Sequence, residues 1–228
     1  MISVMYTFAA NGKTASIFPS LEINAPVIYL NTFSDEGQNV YEAARAAGCP
    51  PFTLVAIRDL DWNHDMVPWD SPPAFKHTEP CTGGADDYLH LLTEEIIPMA
   101  EKEVAGVPCW RGIAGYSLAG LFALYAIYQT DLFSRGGSMS GSLWFPGMKE
   151  YIFSHETKRW PDCMYFSLGD KESKTRNPVL RSVRQSTEEI YAFCQRKGID
   201  TEFQRNPGNH YNHAVERTVA GLSWLLSR

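Results

Sequence analysis

The stretch Gly115-Tyr116-Ser117-Leu118-Ala119-Gly120 decides how this chain is read. Before it lies a segment, residues 110–115, short enough for a strand; after it an apolar run, residues 118–128, has the length of a helix. A chain that turns sharply from strand to helix needs small residues two before and two after the residue at the apex. They let the backbones pass closely while a serine oxygen at the apex stands clear as a nucleophile. Gly115 fills the first of these positions, and Ala119, followed by Gly120, fills the second. Alanine there departs from the G-x-S-x-G pattern, and small residues also pack ordinary helices against sheets, so the elbow needs support from the rest of the chain.

Working outward, strand and helix alternate. Residues up to Asn24 read as short strands turning at Asn11-Gly12, an edge hairpin. Pro26-Val27-Ile28-Tyr29-Leu30 is a compact apolar run of the kind buried in a central strand, followed by the polar loop from Asn31 to Gly37 and a helix over residues 39–47. A strand over residues 52–57 empties into a long loop, residues 58–84, too rich in proline, glycine and polar residues for a long regular element. Residues 86–103 carry apolar side chains at helical intervals, with Pro98 predicted to kink or end the helix. Beyond the elbow come a strand–helix unit over residues 133–153, a strand at 164–168, a helix at 183–197, a strand at 201–204 and a closing helix at 214–225. This alternation predicts an α/β fold: a mostly parallel central sheet flanked by helices in a three-layer sandwich, in one domain over residues 1–228.

Composition narrows the function classes. The 228 residues carry 20 Lys plus Arg against 26 Asp plus Glu, a net charge of -6, and no basic run. Neither nucleic acid nor a membrane surface is an expected partner. Five dispersed cysteines read as free thiols in a reducing compartment. With no apolar segment of membrane-spanning length and no secretory signal pattern, the expected location is the cytoplasm. A monomer is the default, and an exposed N-terminal edge strand offers a route to a homodimer.

A serine hydroxyl needs a base to take its proton, and the base works best when a carboxylate fixes its tautomer and stabilises its charged form. Both occur downstream, in the order serine, acid, histidine. Asp170 and Glu172 follow the strand at 164–168 within Gly169-Asp170-Lys171-Glu172. His210 and His213 lie in Pro207-Gly208-Asn209-His210-Tyr211-Asn212-His213, between the last strand and the last helix. Strand ends at one sheet edge would bring both segments to Ser117. Taken singly, a Gly-Asp-Lys-Glu turn is a solvated charged turn and a loop histidine fixes its loop.

Val27-Ile28-Tyr29-Leu30, the region 58–69, Gly83-Gly84-Ala85-Asp86, residues 113–125, Ser140-Gly141-Ser142-Leu143-Trp144, Gly169 to Glu172, and Gly208 to His210 together resemble the esterase D-like putative esterase family of α/β hydrolases, notably its siderophore-esterase branch. The resemblance spans nearly the whole chain. It implies an α/β-hydrolase fold and a serine carboxylic-ester hydrolase with Ser117 as nucleophile, His210 as general base and acid, and Glu172, rather than Asp170, as the acid. It also implies an oxyanion hole from the backbone amides of Leu118 and Thr32, with Phe33 close behind; Asn31-Thr32-Phe33 departs from the His-Gly or Asp-Gly of many relatives. His213 is the reserve base, and the partner is a small-molecule ester.

Other readings compete. His210-x-x-His213 and the cluster Asp59, Asp61, His64 and Asp65 resemble ligand sets, but the first lacks a third ligand and the second suits turn backbones, so neither a metal nor an organic cofactor is expected. Trp62, Trp69, Phe75 and Trp144 are candidates for an aromatic substrate wall, and equally for core contacts. An acyltransferase would use the same acyl-enzyme, and a noncatalytic ligand-binding homologue would use the same fold.

Overall fold

The computed structural model describes residues 5–74 and 78–228; the N-terminal tetrapeptide of the expected edge hairpin and Phe75 lie outside them. An eight-stranded sheet is built from β1 (Tyr6–Ala10), β2 (Lys13–Phe18), β3 (Val27–Asn31), β4 (Thr53–Arg58), β7 (Arg111–Tyr116), β8 (Arg135–Met139), β9 (Cys163–Gly169) and β10 (Asp200–Asn206). Its order is β1-β2-β4-β3-β7-β8-β9-β10. The first two strands run antiparallel, and from β4 onward every neighbour is parallel. The N-terminal hairpin therefore caps one edge of an otherwise parallel sheet.

Strand sequences explain the layers. Alternate side chains leave opposite faces, so Val27 and Tyr29 of β3, Val55 and Ile57 of β4 and Met164 and Phe166 of β9 enter one core. Their neighbours Ile28 and Leu30, Leu54 and Ala56, and Cys163 and Tyr165 enter the other. Buried on both faces, these strands read as continuous apolar runs. Helices α1 (Gly37–Ala46) and α9 (Ala214–Leu226) supply the second core. The first receives α3 (Ala85–Leu91), α5 (Leu118–Gln129), α6 (Met148–Ser154) and α8 (Val183–Arg196). α5 is buried from Leu118 through Tyr128, so it is apolar all round.

The long connection after β4 carries more order than its composition predicts. It holds a single turn of helix, α2 (Trp62–Asp65), and a two-residue hairpin of β5 (Asp70–Ser71) with β6 (Cys81–Thr82). Its acidic cluster serves the fold. Asp65 is buried, ion-paired with Lys13 and bonded to the Asp61 amide, while His64 bonds Thr82.

Pro98 also has a local solution. A π-helical segment over Leu92–Ile96 precedes α4 (Ile97–Ala100), and the proline sits in the first turn of α4. Proline cannot donate to the carbonyl four residues back, and its ring collides with it; the wider π turn relieves both problems without breaking the helix.

In register, Asn31 lies opposite Gly115, Tyr116 opposite Met139, and Gly169 opposite Asn206. The carboxyl ends of β3, β7, β8, β9 and β10 thus converge on one edge of the sheet, and the segments leaving them carry Ser117, Ser140, Glu172 and His210.

Candidate active site

Ser117 is the hinge between β7 and α5, with φ 60 and ψ -124. A non-glycine residue in that region costs about 1–3 kcal/mol and persists only where its surroundings impose it. Here its amide donates to Met139 O at 3.1 Å, and its carbonyl accepts from the amides of Gly120, Leu121 and Ser142. A Cβ on Gly115 would sit 2.4 Å from the backbone of Ala119, so the first small position of the elbow must be glycine, and the second tolerates one methyl.

Around this turn the sequence candidates sort cleanly. His210 Nε2 lies 3.0 Å from Ser117 Oγ, and His210 Nδ1 lies 2.8 Å from Glu172 Oε2. Asp170 is elsewhere: its Oδ1 accepts the Gly208 amide at 2.8 Å and ties the β9 turn to the loop carrying His210. His213 occupies the position before α9 with φ 57, is exposed, and faces Glu216 at 3.6 Å.

The carboxylate of Glu172 is closely held. Its Oε1 accepts from the Gly169 amide at 2.6 Å, Ser140 Oγ at 2.8 Å and Arg217 Nη1 at 3.1 Å, leaving Oε2 to His210. Burial alone would push this carboxyl up, but the bonds from His210, the Gly169 amide and Ser140 outweigh it and hold it below the ordinary carboxylate value. Gly169 permits this crowding, since a Cβ there would lie 2.5 Å from Gly208 O and 3.0 Å from Glu172 Oε1. Tyr116 Oη donates to the His210 carbonyl at 2.7 Å, fixing the histidine backbone from the residue before Ser117. Tyr116, Ser140 and Arg217 are absent from the sequence-derived candidates. The first two lie within quoted motifs, whereas Arg217, a cation within a closing helix, carries no local signal.

Two expectations require correction. Thr32 was the predicted second amide donor, yet its N–H donates to Ile57 O at 2.8 Å and its hydroxyl bonds the same oxygen at 3.1 Å. The β3–β4 ladder simply continues one residue past the strand, and a paired amide cannot serve an oxyanion. Among the described residues, no hydrogen bond is taken from the amides of Leu118 or Phe33. Trp69, expected on the substrate wall, packs on Phe145 and Tyr151 and donates to Pro146 O at 2.8 Å. It lines the core side of the loop, away from the cleft.

The cleft over Ser117 has a volume of about 720 Å³ and is walled by Phe33, Trp62, Trp144, Leu180, Val183 and Tyr211. Phe33 meets Trp62 edge-to-face, and Tyr211 meets the His210 ring in the same manner. The long loop contributes Trp62, Asn63, Ala74 and Cys81. Asn177 clasps it by donating to Ala74 O at 2.5 Å while its side-chain oxygen caps α7 (Pro178–Arg181). Among the described residues, no group of three His, Cys, Asp or Glu side chains is placed to hold a metal ion. No helix among them is long and apolar enough to cross a membrane.

The family model described as "Putative esterase" matches residues 30–221. The chain belongs to that esterase family. A curated relative of this chain, an uncharacterized protein YbbA of Bacillus subtilis, is 24% identical over 215 residues, covering 89% of this chain and 86% of YbbA. Among solved structures, the siderophore hydrolase EstA of Aspergillus nidulans superposes with a TM-score of 0.75 at 17% identity, over 98% of this chain and 94% of EstA. An IroE-like serine hydrolase from Shewanella oneidensis gives 0.77 at 17% identity, over 98% and 80%. At such identities the structural likeness speaks for the α/β-hydrolase fold, while the family match places the chain in the esterase/hydrolase superfamily.

Proposed function

We propose that this protein is a serine carboxylic-ester hydrolase working through Ser117, His210 and Glu172. The observation that carries the reading is the unbroken line from Ser117 Oγ through both ring nitrogens of His210 to Glu172 Oε2, at 3.0 and 2.8 Å. A histidine so held takes the Ser117 proton on Nε2, while its Nδ1–H stays directed at the carboxylate. Ser117 Oγ then attacks the ester carbonyl carbon. Negative charge moves to the carbonyl oxygen, where the Leu118 amide, at the first turn of α5, and the Phe33 amide are the donors that stabilise it; one such donor contributes about 3 kcal/mol to the transition state. As the intermediate collapses, the bond to the alcohol oxygen breaks and His210 Nε2–H protonates the departing alcohol. Water loses a proton to the same nitrogen, attacks the acyl carbon, and releases the acid with Ser117 restored.

The aromatic and aliphatic walls suit a small or aromatic ester, with Trp144 and Trp62 among the contacts. Two solved relatives of this fold are described as a siderophore hydrolase and a serine hydrolase, which accords with ester cleavage. A panel of p-nitrophenyl esters of rising acyl length tests the proposal. The native chain is expected to release nitrophenol and acid, and Ser117→Ala to stay folded and lose turnover. Equal turnover in Ser117→Ala overturns it.

A further inference from the structure

We propose that Arg217 is a positioning residue that braces Glu172 from beneath and sets its own charge against that of the acid at His210, so that the imidazole stays an uncharged proton acceptor at lower pH than a lone carboxylate would allow. The inference rests on the function just proposed for Ser117, Glu172 and His210.

The geometry is specific. Arg217 lies on α9, seven residues beyond His210, and its side chain is 2% exposed beside a Glu172 side chain that is 4% exposed. Its Nη1 reaches Glu172 Oε1 at 3.1 Å, Ser140 Oγ at 3.1 Å and Tyr116 Oη at 3.2 Å, while Nη2 donates to Pro207 O at 2.9 Å. The two hydroxyls pass their own protons onward, Ser140 to Glu172 Oε1 and Tyr116 to the His210 carbonyl. One guanidinium therefore joins the ends of β7, β8, β9 and β10 around the acid and leaves only Oε2 free for His210.

Charge gives the arrangement its consequence. A buried carboxylate favours a neighbouring imidazolium, and a cation on its far side opposes that. Among the described residues, the groups facing Glu172 can be enumerated. His210 comes from the loop after β10, Arg217 from α9 and Tyr116 from β7, its phenol pushed up by burial; β8 supplies only the uncharged Ser140. From its own turn, Asp170 is engaged with Gly208, and Lys171 and Lys174 line the cleft. Arg217 is thus the cation in direct contact with the acid. The pair is near neutral overall, and His210 sees less negative charge than a bare aspartate or glutamate would present.

The test follows the Cε1–H resonance of His210 by NMR across pH in the full chain, assigned by its loss in His210→Ala. Replacing Arg217 by Gln is expected to raise the titration midpoint by about one pH unit. The acid limb of kcat/KM for the p-nitrophenyl ester should move up with it, and Arg217→Lys, which keeps the charge, should hold the midpoint near native. An unchanged midpoint in a folded Arg217→Gln overturns the inference. Should that variant fail to fold because it strands a charged Glu172, the comparison passes to Glu172→Gln against Glu172→Gln/Arg217→Gln. The midpoint must then rise in the double variant, and equality overturns the inference. Because the titration needs no turnover, a shifted midpoint in a chain that cleaves no ester removes the proposed reaction alone, and ester cleavage with an unshifted midpoint removes only the role of Arg217.

Discussion

Two arginine–glutamate pairs lie at opposite ends of the central strands, and they are built differently. At the amino end of β7, Arg111 grips both oxygens of Glu101 at 2.6 and 2.8 Å, and Tyr29 Oη adds a third bond at 2.9 Å. At the carboxyl end, Arg217 touches one oxygen of Glu172 and leaves the other to His210. The first pair is 26% and 19% exposed, the second 2% and 4%. A bidentate pair satisfies its carboxylate completely and joins a helix to a sheet, which is a structural task. A pair that withholds one oxygen accepts deeper burial and its desolvation cost in order to keep an acceptor directed at a histidine. Completeness of the pairing thus separates scaffold from candidate machinery, in step with burial.

Exchanging the two acids for amides sharpens this contrast most. Glu172→Gln is expected to lower kcat by about 10³- to 10⁴-fold, since the histidine loses its orienting anion. Glu101→Gln should leave kcat within a factor of about two and cost about 2 kcal/mol of stability, being a half-buried pair broken on one side. Steady-state kinetics and urea unfolding on the same two variants check both halves; comparable kcat losses would break the comparison.

A smaller effect concerns acid. The carboxyl of Glu172 is held below its ordinary value of 4.5 in the folded chain, so its contribution to stability is fully present above that value and is lost as pH falls through the lower folded value. In thermal unfolding, the gap in Tm between the native chain and Glu172→Gln should be constant from neutral pH to about 5 and should narrow below about 4. A gap that widens in acid contradicts the favourable bonding assigned to the charged form.

Smallest of all should be His213→Ala and Asp170→Ala. His213 is exposed opposite Glu216, and the Asp170 carboxylate accepts the Gly208 amide of the histidine loop. The first should keep kcat within about twofold, and the second should lose about threefold to tenfold through a loosened loop, the scale of one backbone hydrogen bond of about 1 kcal/mol. Ester kinetics on the pair distinguishes them, and a loss in either as large as that in Glu172→Gln would redirect the assignment.

What the sequence made legible, and what it hid, follows the range of the forces involved. Strand–helix alternation and the elbow at Ser117 are local patterns, and the loops after β9 and β10 necessarily emerge beside it once the sheet is parallel. The meeting of Ser117, Glu172 and His210 is a consequence of that register. Thr32 was misread because its amide partner, Ile57, lies 25 residues away on a ladder whose length no local signal sets. Trp69 could be read equally as substrate wall or core contact, because the path of a proline-rich loop, not composition, decides which aromatic side chains turn inward. Arg217 went unseen because an arginine on a closing helix reads as solvent-facing until the acid it meets is placed beneath it.

The central claim is that Ser117 is activated by its contact with His210. Intact-mass labelling with a small fluorophosphonate, on the native chain and on folded Ser117→Ala, tests it most directly. A single adduct on the native chain, mapping to Ser117 and absent from the variant, is the expected result. No adduct on the folded native chain, or an equal adduct on both, would contradict it.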